Sequence, residues 1–171
     1  MKHDTTEREL YNGFLEAVSA RGRAVSSIYR GDGGPYKDEP DECYELHNQV
    51  LAAGLNELAQ KLIVTSRSAY GWIAVGTLTT VHSLGSVWGG EVSRKAGATL
   101  TTSKMTGILV CTWGGAADSV TSVVLETASI VNNVSSGLGI PLNVLTGVAA
   151  TLAGSDILKL EMQFQIGSHN L

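Results

Sequence analysis

Ile157-Leu-Lys-Leu-Glu-Met-Gln-Phe-Gln-Ile166 alternates without a break. Leu158, Leu160, Met162, Phe164 and Ile166 fall on one side, and Lys159, Glu161, Gln163 and Gln165 on the other. Successive side chains of a strand point to opposite faces, so this period of two describes one wet face and one buried face. The same grammar runs back to Tyr70. Further strands are predicted at Tyr70–Thr77, Val87–Ala96, Ala98–Ser103, Met105–Trp113, Val120–Glu126 and Pro141–Leu152. They are rich in β-branched residues and separated by Gly, Asn and Ser turns at short spacing. The predicted class is therefore mainly β: an antiparallel β-sandwich, jelly-roll-like, with one flanking helix and an N-terminal helical arm.

Helices are predicted ahead of the strands. Thr5 or Thr6 can cap a helix over residues 5–20, with Glu7 and Glu9 at its positive end and Leu10, Phe14, Ala17 and Val18 as its stripe. Gly31-Asp-Gly-Gly-Pro35 and Asp38-Glu-Pro-Asp-Glu42 read as loop. A second helix is predicted to start near Pro40–Asp41, with His47, Leu51, Leu55, Leu58, Leu62 and Ile63 as its buried face and Asn56, Glu57, Gln60 and Lys61 turned away. Charge divides the chain at the same place. Residues 1–48 hold six basic and ten acidic groups, which is the whole net charge of −4. The expected organisation is an acidic helical arm and loop over 1–48 and a β-sandwich domain with a leading helix over 49–171.

Between Lys104 and Asp156 only Asp118 and Glu126 carry charge. Charged groups cost most to take out of water, so a segment this poor in them is expected to be covered by other protein. Outward positions such as Ser122 and Thr146 are the candidate contact residues, with Leu10 and Phe14 from the arm. No basic cluster suits a phosphate backbone, so nucleic acid is not an expected partner. The longest uncharged run, 127–155, is broken by Asn, Ser, Gly and Pro, so no membrane span is expected. Residues 1–14 lack the apolar core of a secretory signal, and Cys43 and Cys111 are expected to be free thiols.

Chemistry-bearing patterns are thin. Cys43 and His47, four apart, would share a helix face beside Glu42 and Glu45, but a zinc site needs four ligands and no second pair follows. Gly31-Asp-Gly-Gly34 has no Lys-Ser/Thr after it and reads as a hinge rather than a phosphate loop. Gly114-Gly-Ala-Ala-Asp118 reads as a turn. No G-x-S-x-G element supports a nucleophile and no carboxylate pair supports acid–base work, so no catalytic residue, metal site or cofactor is expected. Trp72, Trp88 and Trp113 fit three roles: core anchors, interface hot spots or a carbohydrate-binding face.

The order of short motifs resembles a loose class of small bacteriophage virion proteins. Val50-Leu-Ala-Ala-Gly-Leu-Asn-Glu-Leu-Ala59 leads into Trp72-Ile-Ala-Val-Gly-Thr77, then Gly90-Glu-Val-Ser-Arg94, then Gly154-Ser-Asp-Ile-Leu-Lys-Leu-Glu-Met-Gln-Phe164. The resemblance covers residues 50–166 and implies a tail, fibre or head-surface structural role with no catalytic residues. The expectation is a non-enzymatic virion protein, assembled in the host cytoplasm, that decorates and cements a capsid. Its expected partners are the major capsid protein or other virion proteins and further copies of itself. Alternatives are a tail-associated subunit (adaptor, baseplate or fibre attachment) and a carbohydrate-binding receptor-recognition module using Trp88 and Trp113.

Overall fold

The computed structural model describes residues 18–31, 38–61, 69–77, 90–102, 106–121, 123–135 and 138–168. Nine strands and one helix follow in the order β1 (Val18–Tyr29), β2 (Glu42–Val50), α1 (Ala52–Lys61), β3 (Trp72–Gly76), β4 (Glu91–Ala96), β5 (Ala98–Thr102), β6 (Thr106–Gly114), β7 (Val124–Val131), β8 (Asn143–Thr151) and β9 (Ile157–Ser168). They make one antiparallel sheet in the order β4-β3-β7-β8-β2-β1-β9-β6-β5. The edge strands β4 and β5 are consecutive in the chain with only Gly97 between them. The sheet must therefore curl until its edges meet, and it forms a nearly closed barrel.

Side chains join that seam. Lys95 Nζ donates to Thr112 O, Cys111 Sγ to Lys95 O and Trp113 Nε1 to Ser93 Oγ, at 2.9, 3.5 and 3.2 Å. Gly97 fits there because a Cβ would press into the Leu109 side chain. The interior is filled rather than hollow, as small barrels are. Trp113, Ile28, Ile73, Leu125, Leu145, Leu158, Leu160 and Met162 are all fully buried in it. The mainly β antiparallel class stands. Two packed sheets are not what forms, because the strand ladder is continuous from β4 round to β5.

The strands downstream of Thr65 lie close to their predicted places, with β7 displaced to Val124–Val131. Upstream the sequence-based expectation fails. Residues 18–29 and 42–50, placed in a helical arm and a helix start, are strands at the middle of the sheet, with β1 flanked by β2 and β9. The described part of residues 1–48 is thus core architecture and not an appendage. Of the helix predicted over 5–20, residues 5–17, with Leu10 and Phe14, lie outside the described residues, and 18–20 open strand β1.

Helix α1 is shorter than predicted and turned differently. Its buried residues are Gly54 and Glu57, while Leu55 and Leu58 are half-buried. Glu57 faces inward because Asn132 Nδ2 donates to its Oε1 at 3.3 Å. Gly54 sets the approach: a Cβ there would stand 2.5 Å from Leu142 Cα and 2.7 Å from Leu142 O. Backbone cannot yield as a side chain can. Gly54→Ala is expected to push the helix off β8 and destabilise the protein by about 2 kcal/mol or more, despite alanine's better helix propensity. A urea titration checks this, and an unchanged midpoint would mean the helix moves freely.

Candidate functional site

The charge-poor stretch is mostly hidden by the chain itself. Along β7, Leu125 and all of Thr127–Val131 are buried; on β8 so are Asn143, Val144, Leu145, Val148 and Ala150. Where β7 and β8 diverge, side chains replace the ladder. Asn143 Oδ1 accepts from Ile130 N at 2.9 Å, and Ser129 Oγ donates to Asn143 O. What β7 and β8 leave outside is a row of Val124, half exposed, with Thr146, Gly147, Ala149 and Thr151; elsewhere in the stretch Thr112, Val134 and Leu138 are exposed as well. Val124 sits directly opposite Thr151. None of these side chains is charged, although the half-buried Glu126 lies between Val124 and Thr127 on β7, and Thr146 lies in the row.

Trp113 does not. It is fully buried with its indole N–H on Ser93, so it offers no surface for a partner or a sugar. An indole between the outward residues Thr112 and Gly114 alternates into the barrel by strand geometry alone. Trp72 is half-buried and packs on Ala74 and Val131. Trp88 and Ser122 lie outside the described residues. Cys43 and His47 are both exposed on strand β2, not on a helix. Among the described residues no three His, Cys, Asp or Glu side chains are grouped to hold a metal ion. The thiol of Cys111 is pushed up to about 11 by burial, so it is protonated and unreactive at neutral pH.

Two arginine networks, which periodicity does not mark, hold the loops. At one rim Arg30 Nη1 donates to Asp156 Oδ2 (2.7 Å) and Thr151 O (2.6 Å), while its Nη2 and Nε reach Glu42 Oε1 at 2.6 and 3.0 Å. Gly31 N and Ala153 N, both at 2.9 Å, complete the shell of Asp156. Burial alone would raise that carboxyl, but the two amides and Arg30 outweigh it and hold it at about 2. Turn 115–119 is fixed by Asp118, whose Oδ2 accepts from Gly114 N and Lys95 Nζ, both at 2.7 Å. The second arginine, Arg94, grips Glu91 with Nε (2.8 Å) and Nη2 (2.6 Å), and its Nη1 donates to the carbonyls of Asn133, Ser135 and Leu138.

Two depressions are present among the described residues. An apolar crevice of about 140 Å³ runs between Leu58, Tyr70, Leu109, Ile130, Leu142 and Phe164. A second groove, of about 250 Å³, lies over Arg23, Val25, Ile108, Glu161 and Gln163. Lys61 Nζ sits 4.6 Å from the centre of the Tyr70 ring, beside the crevice. Burial, then Glu57, raises the Tyr70 phenol, so it stays neutral. No described helix is long and apolar enough to cross a membrane. No protein-family model, curated protein or solved structure matches the chain.

Proposed function

We propose that this protein is a non-enzymatic structural component of a bacteriophage virion, a decoration or cement protein that binds the capsid through protein–protein contact. The observation that carries the reading is the uncharged outward row Val124, Thr146, Ala149 and Thr151 on β7 and β8. Hydroxyl and small apolar groups cover cheaply, since no charge has to be stripped of water. The motif order over residues 50–166 supplies the virion context. The major capsid protein is the proposed partner, with further copies of the chain beside it.

Thr146→Arg is expected to leave the fold intact, because the side chain points outward, and to abolish particle binding. A guanidinium forced into an uncharged contact leaves a buried, unpaired charge. Particles stripped of the protein should lose thermal stability and recover it when wild type is added back, but not with the Thr146→Arg form. Equal rescue by both forms would remove the row from the contact, and no effect of stripping would remove the cement role. A dozen or fewer copies per particle by gel densitometry would move the protein to the tail.

A further inference from the structure

Between β2 and β8 the barrel comes apart. Asn48, Gln49 and Val50 pair with Leu145, Val144 and Asn143, and there the ladder stops. Yet β2 runs on beside β1 to Glu42, and β8 beside β7 to Thr151. The cause lies in β8. Gly147 and Ala149 have φ of 82° and 47°, and β8 takes four steps from Ala150 to Thr146 while β7 takes two from Leu125 to Thr127. Such a bulge bends and overtwists its strand, so β8 turns from β2. Beyond the ladder Leu46 lies near Gly147, and at the far end Arg30, held by Glu42, reaches the Thr151 carbonyl.

The consequence is an open strand edge in mid-sheet. Cys43, Tyr44, Glu45 and His47 are exposed, so both faces of this part of β2 meet solvent. Among the described residues its backbone has ladder partners on the β1 side only. Proteins usually blunt such an edge with proline, a bulge or a cover. Here β2 is straight, paired with β1 in unbroken register and free of proline.

We propose that the Cys43–His47 edge receives an extended, basic segment of a partner protein as an added strand. Unpaired N–H and C=O groups supply the main-chain affinity, as in other strand-addition complexes. Charge selects the occupant. Exposed Asp38 and Glu39 flank the edge, and Asp41, Glu42 and Glu45 run along it; among the described residues Arg30 pairs with Glu42 and Arg23 with Glu45, which leaves the edge net acidic. Alternate positions of an incoming strand share one face, so lysines or arginines there would meet Glu42 and the exposed Tyr44 ring on one face or Glu45 on the other, with Asp38, Glu39 and Asp41 at the end of the edge. A second copy of this acidic edge would meet repulsion instead. The proposal is independent of the virion reading, which rests on β7 and β8.

The test uses the full-length protein and a fluorescent, end-capped peptide of alternating Lys and Thr. Binding by anisotropy at low salt is expected, with amide exchange protection confined to residues 43–47. Asp38→Lys with Glu39→Lys, both on exposed side chains, should weaken it about tenfold. N-methylation of alternate peptide amides keeps the charge but removes the ladder, and should abolish binding. Absence of binding, equal binding of the N-methylated peptide, or protection elsewhere would each overturn the proposal. So would self-association that protects residues 43–47 without peptide, since the occupant would then be a second copy.

Discussion

Arg94→Met is expected to destabilise the protein by about 3–5 kcal/mol, a large part of the 5–15 kcal/mol that holds a domain together. Both partners of the Arg94–Glu91 pair are almost fully covered, with side chains 4% and 3% exposed. Removing the guanidinium takes two charge-assisted hydrogen bonds from the buried Glu91 carboxylate. It also frees the carbonyls of Asn133, Ser135 and Leu138, which Arg94 gathers at 2.6, 2.7 and 2.8 Å. Ser135 and Leu138 are exposed and water can replace the arginine there, so the loss at the buried Glu91 dominates. Arg94→Lys should fare little better, because one ammonium cannot reproduce the planar fork. Arg94→Met with Glu91→Gln should recover about half of the loss by removing the buried charge. Urea unfolding followed by tryptophan fluorescence measures all three. A loss under about 1 kcal/mol for Arg94→Met would show that the pair is not buried in solution.

That pair also shows where sequence reading stops. Residues three apart on a regular strand lie on opposite faces, so Glu91 and Arg94 do not look like partners. The register shift between Val75/Ser93 and Gly76/Glu91 inserts one residue into β4 and brings both to the same side. Strand β9 was legible because its interior positions are Leu158, Leu160 and Met162, large and apolar against charged neighbours. Strands β1 and β2 were not. Their inward positions are Gly22, Ala24 and Ser26 on one, and Leu46 and Asn48 on the other, where a Cβ at Gly22 would overlap the Asn48 amide. Small and polar fillings erase the hydrophobic alternation while the central place of these strands is set by pairing with β8 and β9. The charge-poor stretch was legible as buried surface. What buries much of it is the barrel, and the row with Thr146, together with the exposed Val134 and Leu138, is left outside.

Asp156→Ala is expected to cost about 3–4 kcal/mol, because its carboxylate serves the Arg30 guanidinium and the amides of Gly31 and Ala153 together. The same contacts make it a pH-dependent anchor. An unfolded aspartate titrates near 3.9, whereas the folded carboxyl is held at about 2. Between those values the unfolded chain binds the proton and the folded one does not. The stabilisation is therefore complete above about pH 4 and is lost as pH falls towards 2. Glu42 is also lowered, by Arg30 first and Tyr44 second, and adds in the same direction, though more weakly because it is a third exposed. Loss of the anchor leaves Arg30 on Glu42 and the Thr151 carbonyl but undoes its tie, and that of Gly31, to the turn before β9. Thermal unfolding of wild type and Asp156→Asn should thus differ most near neutrality and converge as the pH approaches 2. Parallel curves over that window would mean that Asp156 titrates normally and that Arg30 holds the rim through Glu42 and the Thr151 carbonyl instead.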